Sequence, residues 1–174
     1  LALIRGSAIN HDGRSNGLTA PHGPSQESVI RRAMAVSGVD ATEIAYVEAH
    51  GTGTPLGDPI EVHALGAAIG RHRPASAPLL IGTVKSNIGH SEGAAGIAGL
   101  IKTVLALGHE RIPASLHIHV PSPTIQWAQS NVRALSKSTP WPDVERRIAG
   151  VSSFGFSGTN AHVIIEAPPH TDKP

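Results

Sequence analysis

Two histidines occupy matching positions in this sequence. His50 opens the turn His50-Gly51-Thr52-Gly53-Thr54, and His90 closes the turn Lys85-Ser86-Asn87-Ile88-Gly89-His90. Each turn lies between a short apolar run and a helical pattern. The glycines allow backbone to approach a ligand closely. The hydroxyls of Thr52 and Thr54, two residues apart, can bond successive amides of an extended ligand. Taken singly, either histidine reads equally well as a turn residue bonded to a nearby carbonyl. Lys85 either biases the electrostatics around His90 or closes a salt bridge. A third turn, Phe154-Gly155-Phe156-Ser157-Gly158-Thr159-Asn160, holds both phenylalanines of the chain. Outside a strand or helix they suit a movable lid over a pocket better than a core.

Other patterns carry less. His117 and His119 have strand spacing for two ligands on one face, but there is no cysteine and no third ligand to complete a metal site. Lys85-Ser86 looks like the end of a phosphate loop without the glycines that should precede it. Gly89-His90-Ser91-Glu92-Gly93 matches the G-x-S-x-G nucleophile elbow, between a strand and a helix as that motif requires. A serine hydrolase or thioesterase, with Ser91 as nucleophile, His162 as base and Asp143 as acid, is therefore the alternative chemistry.

The elements that must position these residues can be read from periodicity. The stretch 79–108 begins as a short apolar run of strand length, 79–84, breaks at the Lys85–His90 turn, and continues as a helix over 92–107. Ser91 is placed to cap that helix. After Glu92 its only charge is Lys102, and glycines at 93, 96 and 99 each cost roughly 1 kcal/mol of helix propensity. A helix that is apolar on all sides is expected to be buried on all sides. Upstream, 1–9 reads as a strand, 25–37 as a helix stopped by Gly38, and 44–49 as a second strand. A second helix follows, with Asp58 as N-cap, Pro59 at N1 and Glu61 at N3, ending near Gly70. Residues 109–147 are broken by prolines, with short strand-like pieces at 115–120 and 132–135. Two strands, 148–153 and 161–166, close the chain as an antiparallel pair.

The order is βαβαβα, an irregular excursion, then ββ. It implies an α/β fold with a mixed five-stranded sheet, parallel in its βαβ part. Ligand-binding turns of such sheets lie at the carboxyl ends of the strands, so His50 and His90 should face one edge. A chain of 174 residues suffices for one domain. Net charge +1 and 3 % aromatics give no case for nucleic acid or an anionic membrane. The longest uncharged apolar-rich run, 93–101, is too short to span a bilayer. The lack of cysteine excludes disulfides and thiolate metal sites and fits a cytoplasmic setting.

Three of the motifs together carry a family resemblance. Glu48-Ala49-His50-Gly51-Thr52-Gly53-Thr54, Val84-Lys85-Ser86-Asn87-Ile88-Gly89-His90 and Ser152-Ser153-Phe154-Gly155-Phe156-Ser157-Gly158-Thr159-Asn160 resemble the hallmark motifs of the C-terminal half of a β-ketoacyl synthase. Asp12-Gly13, Asn16 to Pro21 and Gly23-Pro24-Ser25-Gln26 are similar to the modular type I polyketide synthases in particular. The resemblance runs from about Leu3 to Pro168. It implies a thiolase-like half over residues 1–166, with 167–174 as linker or tail, and a second half packed over the central helix.

The implied reaction is a decarboxylative Claisen condensation, in which an acyl chain on a cysteine meets a malonyl-type extender carried on the phosphopantetheine arm of an acyl carrier protein. By the same resemblance His50 and His90 polarise the extender's carbonyl and Lys85 supports them. Thr52 and Thr54 hold the pantetheine, and Phe154 and Phe156 form the gate and oxyanion loop, the Phe156 N–H contributing a donor. No bound cofactor is implied beyond the carrier's phosphopantetheine. The implied partners are the N-terminal half, the carrier protein and, for a complete domain, a second copy. Where some fatty-acid synthases of the family carry glutamate, this chain has Gly99. The family's nucleophilic cysteine belongs to the N-terminal half, so the chain alone is expected to be inactive, as a cleavage product, a split half or a truncated domain would be.

Overall fold

The computed structural model describes residues 1–14, 17 and 20–169. Asn16, Leu18 and Thr19 of the second motif group, and the tail from residue 170, lie outside the described residues. In chain order the elements are β1 (Leu3–His11), α1 (Gly23–Ser37), β2 (Ile44–Glu48), α2 (Gly57–Ala68), β3 (Leu79–Gly82), the short α3 (Lys85–Ile88), α4 (Ala95–Gly108), β4 (Arg111–Ile112), α5 (Trp127–Ser130), β5 (Val132–Ala134), β6 (Thr139–Pro140), β7 (Ile148–Phe154) and β8 (Thr159–Glu166).

The main sheet runs in the order β1-β8-β7-β2-β3-β5. It is mixed, as expected, but six-stranded, not five-stranded. β7, β2, β3 and β5 pair in parallel, while β8 runs antiparallel to β7 and to β1. The extra strand is β5, Val132-Arg133-Ala134, which adds to β3 at the edge. Every residue of β2 and of β3 is buried, the state of strands covered on both faces. One face carries a cluster around Val29, Ile30, Val47, Leu65, Ile81 and Ile164, covered by α1 and α2. The other carries Tyr46, Leu80, Leu107, Trp141, Val151 and Ile165 beneath α4. Ala167 joins this second cluster, and its N–H donates to the Arg147 carbonyl.

Two helices differ from expectation at their starts. α2 begins at Gly57, and Asp58 does not cap it: the Gly57 N–H donates to Thr54 Oγ1 at 3.0 Å. Asp58 turns back to accept the Gly53 N–H at 3.1 Å. The helix expected over 92–107 opens as a single tight turn, Glu92–Ala94, and becomes α-helical at Ala95. Ser91 makes no side-chain cap bond there. α1 stops as expected at Gly38, which adopts φ 65°.

α4 departs most from the sequence expectation, since only one side of it is buried. Ala95, Gly99, Thr103, Ala106 and Leu107 face the sheet, and a Cβ on Gly99 would stand 3.0 Å from the Glu48 Cγ. Glycine here lets the helix approach the end of β2. On the opposite side Ile97, Ile101 and Leu105 are 54 %, 54 % and 53 % exposed. Their spacing makes one apolar row along the helix, so within this chain the central helix is half-buried.

Candidate active site

β7, β2 and β3 are parallel neighbours, so the turns that leave their carboxyl ends meet at one edge of the sheet. The first turn brings His50, the second Lys85 and His90, and the third Phe154 and Phe156. The rings of His50 and His90 meet edge to face, with centroids 5.5 Å apart. Phe154 lies 5.6 Å from His50 on another side. Gly51 is what lets the first two turns touch. It has φ 46°, and a Cβ there would stand 2.9 Å from the Thr83 Cβ.

The hydrogen bonds at the two imidazoles assign their tautomers. His90 Nδ1 accepts the Glu92 backbone N–H at 2.9 Å, and His50 Nδ1 accepts the Phe154 N–H at 3.4 Å. With Nδ1 an acceptor, each neutral ring carries its proton on Nε2. Burial, and then the charge of Lys85 and the proximity of His90, push His50 down to about 4. It is therefore a neutral N–H donor at neutral pH. The two rings share the wall of a cavity of about 440 Å³ with Thr52, Thr54, Phe154 and Phe156.

Lys85 lines an adjoining cleft of about 490 Å³, which shares Thr52 and Glu61 with the first cavity and also includes His117. Burial lowers the Lys85 ammonium, against the pull of Glu61 and Glu48. The hydroxyls of Thr52 and Thr54 are 3.4 Å apart. Phe156 is 78 % exposed, at the cavity mouth, whereas Phe154 packs against His50 and is partly buried.

Two carboxylates that hold this arrangement escaped the sequence reading. Glu61, taken there as a capping residue, reaches out of α2. Its Oε1 accepts the His50 N–H at 2.7 Å and its Oε2 the Gly51 N–H at 2.8 Å. Burial raises its carboxyl to about 7, although both N–H bonds favour the charged form. Glu48, two residues before His50, accepts the Val84 N–H at 2.6 Å on Oε1. On Oε2 it accepts Lys102 Nζ and the Tyr46 hydroxyl, each at 2.6 Å. The lone charge of the apolar helix thus ties α4 to β2 and to the start of the Lys85 turn. A carboxylate just before the His-Gly dipeptide and a cation inside an apolar helix were the available signals.

The serine-hydrolase alternative fails on geometry. Ser91 has φ −83° and ψ 20°, without the strained backbone of a nucleophile elbow. His162 is fully buried on β8, where its Nδ1 is 2.9 Å from Ser152 Oγ, and burial pushes it down to about 3. It is a core residue and reaches no serine in the His90 turn. Asp143 is exposed in the excursion. Among the described residues there is no group of three or more His, Cys, Asp or Glu side chains able to hold a metal. Among them, too, no helix is long and apolar enough to cross a membrane.

The family model described as "Beta-ketoacyl synthase, C-terminal domain" matches residues 1–119, more than half of the chain. The chain belongs to this family. A second model, "Ketoacyl-synthetase C-terminal extension", matches residues 121–174. The chain is 59 % identical over 175 residues to erythronolide synthase EryA3 of Saccharopolyspora erythraea, covering all of this chain and 6 % of that protein. It is 58 % identical over 178 residues to the spectinabilin polyketide synthase system protein NorA' of Streptomyces orinoci, again over its whole length and 5 % of the relative.

Among solved structures it superposes on the oxazolomycin ketosynthase domain OzmH KS7 of Streptomyces albus JA3453. The TM-score is 0.91 at 37 % identity, over 99 % of this chain and 31 % of that one. The module 6 ketosynthase of the bacillaene synthase from Bacillus subtilis 168 gives 0.90 at 41 % identity, over 97 % and 32 %. The thiolase-like architecture of these ketosynthase domains is that of this chain, which spans about a third of their length.

Proposed function

We propose that this ketosynthase C-terminal domain supplies the carbonyl-activating half of a condensation site in polyketide chain extension. The observation that carries the reading is the pair of imidazoles, delivered by two separate turns, each with a backbone N–H on Nδ1 and a proton on Nε2. Loss of carbon dioxide from a malonyl-type thioester leaves an enolate, whose negative charge sits on the thioester oxygen. Two preorganised N–H donors lower the cost of that charge. His50, neutral above about pH 4, donates without having to lose a proton first. The enolate carbon then attacks the acyl thioester, forming the carbon–carbon bond and expelling the cysteine thiolate.

That cysteine resides in the N-terminal half, since this chain has none. Thr52 and Thr54 bond the amides of the carrier protein's phosphopantetheine arm, and Lys85 tunes the field around the histidines. Phe156, exposed at the mouth, is the gate, with the N–H of its loop completing the oxyanion site for acyl transfer. The ketosynthase body is assigned to residues 1–166, with 167–174 as linker or tail. The N-terminal half covers the Ile97–Ile101–Leu105 row, and the complete domain pairs with a second copy.

The test uses a complete ketosynthase containing this chain. His50→Ala and His90→Ala should each lower condensation about 10²–10³-fold, the cost of removing one donor from such a site. Acyl loading on the cysteine, followed by intact mass, should persist in both variants. Loss of loading, or condensation that survives either change, would refute the assignment. The chain alone should form no stable acyl adduct.

A further inference from the structure

Several residues around the start of α1 are hydrogen-bonded to one another. Asn10 Nδ2 donates to the Ser25 carbonyl at 2.8 Å, and His22 Nδ1 is 2.8 Å from Ser25 Oγ. Asn160 Nδ2 donates to Asn10 Oδ1 at 3.1 Å and to Asp12 Oδ1 at 2.6 Å, pinning the Phe156 turn to the end of β1. Gln26 sits in the middle of this network, in the first turn of α1, with its backbone N–H bonded to the His22 carbonyl. The residue is only 3 % exposed, yet its Oε1 has no partner among the described residues.

A buried amide left unpaired works against folding, and such atoms are uncommon in native proteins. Gln26 is also a wall of the cavity that holds His50, His90, Thr52 and Thr54. The first turns of α1 and α2 stand side by side there, a Cβ on Gly23 falling 3.4 Å from the Ile60 Cγ2. Hence Gln26 and the threonine turn line one cavity from adjacent helix starts.

We propose that Gln26 is a further substrate-recognition residue, whose side-chain carbonyl accepts an amide N–H of the pantetheine arm. The assignment rests on the condensation reading, from which the pantetheine comes. Pantetheine carries two secondary amides and therefore two N–H donors that an extended site must pair. The threonine hydroxyls offer partners on one side of the cavity, and Gln26 Oε1 offers an acceptor with no bond to a described residue. An arm N–H at the wall satisfies this acceptor. The same acceptor penalises an arm that cannot donate, because both groups would be left unpaired.

The experiment measures binding, not turnover, in a complete ketosynthase containing this chain. The probes are S-methyl pantetheine, which cannot react, and two analogues in which one amide or the other is replaced by an ester. For wild type, one of the two esters should bind roughly tenfold more weakly than the amide, the range of a single neutral hydrogen bond. Gln26→Met, which keeps the length of the side chain, should bind that ester and the amide equally, with a melting temperature no lower than wild type. Gln26→Leu provides the same comparison should the methionine variant fold poorly. Wild type that does not distinguish either ester, or both variants still distinguishing them, overturns the inference. A domain that condenses normally without this discrimination overturns the Gln26 contact alone. One that discriminates yet never condenses overturns only the condensation reading.

Discussion

The turn that carries His50 and the turn that carries His90 are built by different means. His50 is half-buried, and its backbone is clamped by the Glu61 carboxylate at 2.7 Å while its ring packs on Phe154. His90 is exposed, and the bond that fixes its ring comes from Glu92, two residues on. Ile88, in the same turn, is 62 % exposed, and the apolar row of α4 lies beyond it. One donor is therefore set by the core of this chain. The other is set by a local turn whose surroundings, in our reading, the N-terminal half completes.

Removing the clamp should give the largest effect. Glu61→Ala orphans two N–H groups beneath the His50 turn, at about 1–3 kcal/mol each. Chemical denaturation of the complete domain should show this loss, and condensation should fall more than acyl loading. A variant as stable and as active as wild type would mean that the clamp does not distinguish the two turns.

A subtler difference lies in pH. His50 is depressed to about 4 from its usual 6.5, so its contribution to stability is present above 6.5 and is lost as pH falls through 4. Glu61 is raised to about 7 from 4.5, so its contribution is present below 4.5 and is lost as pH rises through 7. Between 4.5 and 6.5 the two oppose each other within one turn. Buried His162, pushed down to about 3, acts in the same direction as His50. Glu61→Gln should therefore make stability rise more steeply with pH across that window than in wild type, as read from denaturation midpoints. An unchanged slope would argue against the opposed pair.

On the exposed side, Ser91→Ala should change stability by less than about 0.5 kcal/mol, as expected of a surface change with no bond to lose. Condensation should be unaffected. A large loss at either readout would restore a role to the serine.

Much of the site could be read before the fold, because its chemistry is concentrated at three strand ends. Short apolar runs followed by Gly-rich turns placed His50 and His90 on one edge, and three parallel neighbours deliver them there together with Phe154. What could not be read depends on side chains that reach across elements. Glu61 has the spacing of a capping residue, and only the approach of α2 to the His50 turn turns it outward. Lys102 looked like a lone charge because its partners, Glu48 and Tyr46, are far away in sequence. The piece at 132–135 looked strand-like, but three residues with a central arginine gave no sign that β5 would join the sheet beside β3. The apolar periphery of α4 signals burial, yet one side of it is covered by nothing among the described residues.

The account rests on both imidazoles presenting Nε2–H to one cavity, and nitrogen NMR of the ring atoms tests this directly. In a complete domain labelled at histidine and observed near pH 7, His50 and His90 should each show a protonated Nε2 and an unprotonated Nδ1. His50 should stay neutral down to about pH 4. A proton on Nδ1 of either ring, or a cationic His50 near neutral pH, would contradict the paired-donor site.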